Sequence, residues 1–538
     1  MTHPPSGSEA EPTFQFAYHR SEDQDAPAPV RHRVVVIGAG PVGLTLALDL
    51  AGQGVSVVLL DDSDRIGEGS RAICFAKRTL EIFDRLGVGE GLVEKGVTWQ
   101  RGRVFLGEGE LYGFDLLPEG GHKMPAFINI QQYYVEAALA QRATGQARTI
   151  DLRWRNRVTG LEQAADGVAL TIETPDGPYR IEADWVVACD GSRSPVRGLM
   201  GLDFAGEVFD DRFLIADVKM TAAFPTERWF WFQPPFHSGQ SALLHKQPDD
   251  VWRIDLQLGR DADVEIERQP EHVAERIRRM LGHGDFALEW VSVYTFQCRR
   301  LERFVHGRVV FAGDSAHQVS PFGARGANSG VQDAENLAWK LRAVLAGEAG
   351  PGLVATYDAE RGAAADENIL NSTRATDFIA PPGPGEKRLR DAVLGLARTT
   401  AFAKRMVNSG RLSTATAYQT VLSTPDDAAW AGSAQVGAPV PDVPVRLADG
   451  RAGFLSEIVG SDFLLLAYGD APRSPAVDIR VLAVGGDIGD TEGLFAERFD
   501  ATPGAIYLLR PDGHLTARWR RFDAGAVLAA RRRALGFS

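Results

Sequence analysis

The chain has 538 residues, of which 44% are hydrophobic and 24% charged, with a formal net charge of −13 and a pI near 5.4. That length is enough for a large core shared among about two to four domains. The acidic balance argues against nucleic acid and against an anionic membrane surface as partners.

Residues 1–32 read as a polar, Pro-containing tail without the basic-then-apolar layout of a secretion signal. Arg33–Ile37 ("RVVVI") then suits a buried parallel strand, followed at once by "GAGPVG" and the helical "LTLALDLAGQG". Gly38 permits a tight turn, Gly40 lets the backbone approach a pyrophosphate, and Gly43 allows close helix–strand packing with the helix N-terminus facing the negative charge. "VSVVLL" is a second strand, and it ends at Asp61, where a carboxylate can accept ribose hydroxyls. Segments of β type around 153–189 close on "DWVVACDG", which completes the first part of a dinucleotide-binding domain at 33–204. Residues 205–300 are strand-rich with aromatic alternation ("RWFWFQ", "VWRIDLQL"), as expected of a mostly antiparallel sheet walling a pocket. "GRVVFAGD" returns to the buried-strand pattern and opens a second part of the nucleotide domain at 301–360. Val331, Ala334, Ala338, Leu341 and Leu345 follow it at helical spacing. A helical segment and linker fill 361–434, and 435–538 reads as a separate small α/β unit. No run approaches the ~18 apolar residues of a membrane span. Cys74, Cys189 and Cys298, odd in number and far apart, suggest neither a disulfide framework nor a metal site. Reduced thiols in a cytoplasmic protein are the expectation.

A nicotinamide dehydrogenase needs only the first βαβ unit. This chain has two further glycine–aspartate turns at strand ends, Asp190-Gly191 and Gly313-Asp314, and a loop from Pro321 to Asn328. FAD carries a ribityl chain and an isoalloxazine beyond the pyrophosphate, so more protein must return to meet it. A carboxylate at Asp314 can accept a ribityl hydroxyl. The loop can lie along the ring, with the next helix directing its N-terminus at the N1–C2=O edge where reduction gathers negative charge.

These three motifs in this order resemble the group A flavoprotein aromatic hydroxylases, over roughly 33–375. The fold implied is α/β: an FAD-binding Rossmann-like domain of glutathione-reductase type with a mostly antiparallel substrate-domain sheet. "RAICFAKRTLEIFDRLGV" is similar to the family stretch in which an arginine meets the flavin, which points to Arg71. "INIQQYYVEAAL" resembles its glutamine-led helix, which points to Gln132. The tail is similar to the C-terminal thioredoxin-like domain of the phenol hydroxylase and 3-(3-hydroxyphenyl)propionate hydroxylase branches. Lacking cysteine beyond Cys298, it is assigned a structural or subunit-contact role. The resemblance implies non-covalent FAD and NAD(P)H as a transient hydride donor. It further implies a C4a-hydroperoxide whose distal oxygen is delivered to an electron-rich phenol. Expected partners are the phenol, O2, NAD(P)H and a second copy of the chain in a homodimer. "GARGAN" assigns Arg325, with Pro321 and Gly323, to catalysis and Gly326, Ala327 and Asn328 to the cofactor. Arg325 supplies positive potential near the reduced flavin.

His317 beside Asp314 reads as a hydrogen-bonded structural histidine rather than a base. His245, Tyr294 and Gln297 are candidates to face the substrate. Of Trp229 and Trp231, which alternate with Phe230 and Phe232, the sequence leaves open which face lines the pocket. With an aromatic-rich sheet and few obvious pocket cations, a bulky, largely apolar phenol is expected, such as an arylpropionate or a bicyclic plant phenolic. "WFWFQP" nearly matches the Trp-x-Trp-x-Ile-Pro motif of flavin-dependent halogenases, with Gln233 in place of the isoleucine. A halogenase, and a flavin-binding protein without turnover, are therefore the alternatives.

Overall fold

The computed structural model describes residues 14–67, 72–259, 261–407, 412–472 and 478–537. The chain opens with β1 (Val30–Ile37), α1 (Pro41–Gly52), β2 (Val57–Leu60) and β3 (Cys74–Ala76). It continues through β4 (Arg101–Leu106), β5 (Gly109–Asp115), α2 (Gln132–Thr144), β6 (Ile150–Arg153) and β7 (Gly177–Ala188). Next come β8 (Ala205–Lys219), β9 (Arg228–Phe232), β10 (Ser241–Lys246), β11 (Val251–Leu258), α3 (Pro270–Leu281) and β12 (Ala287–Arg300). The return to the first domain is β13 (Val309–Phe311), α4 (Gly326–Leu345) and α5 (Gly352–Ile379), followed by α6 (Pro384–Ala397).

β13, β7, β1, β2 and β6 pair in that order and are all parallel. Their Val, Leu and Ile residues are apolar on both faces because helices cover the sheet, and Val34–Val36, Val186, Val187 and Phe311 are fully buried. Among the described residues of the expected N-terminal tail, 14–32, the chain is packed rather than loose. Phe16 stacks on Trp154 with centroids 4.2 Å apart, and Asp23 accepts from Arg153 Nη2 at 2.6 Å.

The second sheet runs β12–β8–β11–β10–β9–β4–β5, antiparallel except where β9 meets β4. Two of its strands, β4 and β5, come from inside 33–204, so the two sheets do not part at residue 204 as expected. Side chains alternate between its faces. One face presents Val104, Phe213, Phe230, Phe232, Leu243 and Phe296 to Phe322 and to Ile379 and Leu394 of the helices. The other presents Trp229, Trp231, Leu244, Trp252 and Ile254 to Val273 and Ile277 of α3. The expected boundary between 360 and 361 also dissolves, because α5 runs unbroken across it.

The C-terminal unit has β14 (Leu464–Tyr468), β15 (Arg480–Val484), β16 (Ile506–Leu509), β17 (Leu515–Trp519) and α7 (Ala524–Ala534). The sheet order is β15–β14–β16–β17, parallel in its first pairing and antiparallel in the other two. It is joined to α4 and α5 by buried charge. Arg510 donates to Glu360 Oε1 at 2.6 Å and to Asp512 Oδ2 at 2.6 Å, and Lys340 donates to Glu360 Oε2 at 2.8 Å. Trp339 of α4 donates to Asp512 Oδ2 at 3.1 Å and packs edge-on against Phe463. The linker therefore leads into a docked unit. Among the described residues, no helix is long and apolar enough to cross a membrane.

Removing one partner of a buried ion pair leaves the other uncompensated, so Arg510→Ala is expected to cost about 3–5 kcal/mol in a denaturant titration. Burial opposes ionisation of Glu360, but the Arg510 guanidinium and the Lys340 ammonium outweigh it and hold the carboxyl down to about 2, from an ordinary value of 4.5. A depressed acid contributes its stability above the unfolded value and loses it as the pH falls toward the folded one. The stability gap between wild type and Glu360→Gln should thus be constant at neutral pH and shrink as the pH falls from about 4.5 toward 2.

Candidate functional site

Three turns meet at the carboxyl ends of the parallel strands, where open α/β sheets place their ligands. In the first, Gly38 has φ +103°, and a Cβ there would lie 2.4 Å from the Cys189 carbonyl oxygen. A Cβ on Gly43 would lie 1.9 Å from the Gly38 oxygen, whereas one on Gly40 would meet nothing within 4 Å. The first two glycines are thus required by packing, and the third faces open space at the N-terminus of α1. Asp61 accepts from the Ala39 N–H at 2.6 Å and the Ser63 N–H at 2.8 Å, so it braces the glycine turn from the end of β2. Burial pushes its carboxyl up to about 6, against those two N–H donors.

In the second turn Gly191 has φ +77° and faces open space. Asp190 turns back into its own loop, accepting from the Val196 N–H at 3.0 Å. In the third, Gly313 has φ +66°, and a Cβ there would sit 2.8 Å from Val42 of α1. That crowding brings the α1 and α4 ends of the site together. The Gly313 N–H donates to Asp333 Oδ2 at 2.9 Å, while Asp314 is exposed at the mouth. His317 meets the same Asp333 oxygen at 2.6 Å and is buried, in agreement with a structural histidine.

The loop from Pro321 leads into α4. Gly323 has φ +106° and Ala324 has φ +53°. Asn328 ties this loop to β3, accepting from the Ala76 N–H at 2.8 Å and donating to the Cys74 and Ala324 carbonyls. Arg325 occupies the N-cap position of α4, and Gly326 and Ala327 open the helix. The Arg325 side chain is buried, lies against Gly323, and donates from Nη1 to Asn368 Oδ1 of α5 at 3.2 Å. It is not the outward loop arginine that a solvated turn would carry. Gln132 at the start of α2 accepts from the Ala72 N–H at 3.0 Å and donates to Glu136 at 2.7 Å. Arg71 lies outside the described residues.

A cleft opens beside this loop, lined by Val104, Phe230, Phe232, Phe322, Gly323 and Arg228 among others. The structure does not bring all the proposed substrate residues to it. Trp229 and Trp231 belong to the opposite face, in the core under α3, because they alternate with the two phenylalanines that line the cleft. Tyr294 packs against the cleft-side cluster with Phe296, and Gln297 has the opposite parity. His245 is buried on β10, edge-on to Trp99 at 5.9 Å. Burial, with Arg228 and Arg253 nearby, holds its imidazole well below the ordinary value and therefore neutral.

Sequence reading missed Asp333, Glu136 and Arg228. Only Arg228 left a local signal, since it shares the parity of Phe230 and Phe232. The open Gly40, the exposed Asp314 and the free end of α4, joined through Gly313, Val42 and Gly330, form a cradle that suits a long flavin dinucleotide.

Known proteins point the same way. Residues 31–372 match a family model described as an FAD binding domain. A 3-(3-hydroxy-phenyl)propionate/3-hydroxycinnamic acid hydroxylase of Mycolicibacterium smegmatis is 29% identical over 93% of this chain and 91% of its own length. A 12-dehydrotetracycline 5-monooxygenase/anhydrotetracycline 6-monooxygenase of Streptomyces rimosus is 31% identical over 90% of this chain and 95% of its own. The flavin-dependent monooxygenase PieE, solved with FAD and substrate, superposes over 95% of this chain and 100% of its own with a TM-score of 0.80 at 23% identity. With the family match spanning well over half of its residues, the chain belongs to the FAD-binding-domain family and, within it, to the flavin-dependent aromatic hydroxylases.

Proposed function

We propose that the chain is a single-component, NAD(P)H-dependent monooxygenase that places one oxygen atom of O2 on a phenolic ring held in the cleft beside Phe322 and Gly323. The second oxygen atom leaves as water, and NAD(P)H is oxidised. The observation that carries the reading is the meeting of this cleft with the flavin loop: aromatic walls and the Pro321–Asn328 segment share Phe322 and Gly323. The names of the two relatives above, both hydroxylases of ring compounds, support an aromatic substrate.

FAD, bound without a covalent link, supplies the redox chemistry. The chain's own groups bind and orient it. Gly38, Gly40 and the N-terminus of α1 take the pyrophosphate, and Asp61 takes ribose hydroxyls. Asp314 would take a ribityl hydroxyl, Gln132 would border the ring, and the N–H groups of Gly326 and Ala327 with Asn328 would face developing negative charge. Asp190 and Gly191 shape the second turn beneath. Phe230, Phe232 and Phe322 keep water from the reacting ring. The C-terminal unit, with its one parallel and two antiparallel pairings, is read as thioredoxin-like and structural. Three free cysteines suit a reducing, cytoplasmic compartment. A homodimer is the proposed assembly, to be checked by sedimentation.

A halogenase finds no support in the cleft, since Trp229 and Trp231 are packed in the other face of the sheet. Incubating the flavoprotein with a phenol panel, scored for both NAD(P)H oxidation and hydroxylated product, tests the reading. Product from at least one phenol is expected. Halogenated product in the presence of halide, or no turnover of any phenol, would replace it with one of the alternatives.

Arg325 is assigned a charge role at the flavin loop. A guanidinium remains charged at any working pH, and a buried one is weakly screened. Arg325→Ala should retain FAD, lower its reduction potential and slow anaerobic reduction by NAD(P)H about a hundredfold, the usual loss for one preorganised charge of ~3 kcal/mol. Arg325→Lys should recover part of both. An alanine variant with the wild-type potential and rate would leave Arg325 a structural role in the loop.

A further inference from the structure

Arg228, the first residue of β9, points from the sheet face that bears Phe230 and Phe232 and lines the cleft with them. Among the described residues its guanidinium makes no hydrogen bond and no ion pair. This is unusual for a half-buried arginine, whose charge ordinarily demands a partner. Its neighbour on the same face, Arg253 of β11, shows the ordinary solution: it is held at 2.9 Å by both carboxylate oxygens of Asp217. Cys74, Asp255 and Tyr112 act on Arg228 electrostatically without bonding it.

The floor around Arg228 is also polar and incompletely satisfied. The register of Trp229 with Leu244 places Arg228 beside His245, whose Nδ1 is buried with no hydrogen-bond partner among the described residues. Asp255, two positions along the strand from Arg253 and so on the same face, has a buried Oδ1 in the same condition. Buried polar atoms in native proteins are nearly always paired, and these two exceptions lie on the same sheet face as the cleft-lining Arg228, behind the place where a ligand would meet it. The walls above the floor are apolar, so the missing partner is an oxygen on an otherwise apolar molecule.

We infer that Arg228 is the anion-receiving and specificity-determining residue of the cleft, selecting aromatic ligands that carry an ionised oxygen, either phenolate or carboxylate. The inference rests on the reading of the cleft as the substrate pocket. It narrows the bulky phenol expected from sequence to one whose acidic oxygen is seated at the foot of β9, while its ring lies among Phe230, Phe232 and Phe322. A guanidinium in so dry a setting strengthens its bond to an anion and gains nothing from a neutral ether of the same shape.

The test uses the FAD-loaded enzyme and small probes, with binding read from the perturbed flavin spectrum. 4-Nitrophenol is compared with its methyl ether, 4-nitroanisole. The visible band of the nitrophenolate reports how far the bound phenol is ionised. Wild type should bind the phenol about tenfold or more tightly than the ether, and the bound phenol should ionise about one unit lower than in water. Arg228→Gln should lose both effects while keeping FAD and the affinity for 4-nitroanisole, which a merely structural role would not spare. Arg228→Lys, retaining charge without the fork, should keep the ionisation shift in part. 3-Phenylpropionate separates the two sources of the oxygen: binding that depends on Arg228 assigns it a carboxylate, and its absence beside strong nitrophenolate binding assigns it a phenolate. Equal or absent binding of nitrophenol and nitroanisole by wild type overturns the inference without needing any variant. So does an Arg228→Gln enzyme that prefers and ionises the phenol as wild type does. If that variant still hydroxylates the phenol panel, the hydroxylase reading survives the loss. An enzyme that turns over no phenol yet shows the Arg228-dependent preference loses the hydroxylase reading and keeps this one.

Discussion

A fully buried carboxylate, Asp333, accepts at once from the Gly313 N–H, from His317 Nε2 and from Arg361 Nε of α5. Burial alone would drive it to take a proton, but His317 and Arg361 outweigh burial and keep it ionised. Two of the partners belong to the third glycine turn and one to α5, so satisfying this one charge fixes that turn against α4 and α4 against α5. Arg361 extends the constraint, donating to Ser329 at the start of α4 and to the Tyr418 hydroxyl at 2.8 Å. The flavin loop is therefore held from beneath by charge.

The second constraint is the pleat of the substrate sheet. Adjacent residues of β9 serve opposite purposes: Arg228, Phe230 and Phe232 line the cleft, and Trp229 and Trp231 fill a core against α3. The division makes one sheet both a wall of the pocket and a rigid support for it. The most conspicuous aromatic residues in the sequence are scaffold. The residue that gives the pocket its polarity is an arginine at the strand's first position.

The C-terminal unit belongs to the same mechanical system. Tyr418, bonded to Arg361, stacks on His514 with centroids 4.6 Å apart, and His514 lies two residues beyond Asp512, which Arg510 and Trp339 also grip. Glu360, adjacent in sequence to Arg361, receives Arg510 and Lys340. One turn of α5 thus faces the flavin loop through Arg361 and the C-terminal unit through Glu360. A unit without cysteine still has work to do there, as a countercharge to residues that the flavin domain has buried.

The sequence by itself determined what depends on a few neighbouring residues. The turns at Gly38 and Gly313 were legible because a glycine held at positive φ between a buried strand and a helix is written within one short stretch. The structural role of His317 was legible in kind, but its partner Asp333 was not, and neither were the other long-range pairs. Gly313 and Arg361 reach Asp333 across 20 and 28 residues, and Arg510 reaches Glu360 across 150. The aromatic alternation of β9 was plain, yet which side of it meets the cleft was decided by β4, β10 and the helices that cover the two faces. The sharing of strands across residue 204 and the run of α5 across residue 360 were not legible either, since β4 and β5 join a sheet built mostly from later strands and α5 continues on contacts from elsewhere in the chain. Backbone geometry and periodicity are local energies, readable residue by residue. The pairing of buried charges and the choice of a sheet's inner face are settled only when distant segments meet, because the cost of a buried charge is relieved by whichever partner the fold brings to it.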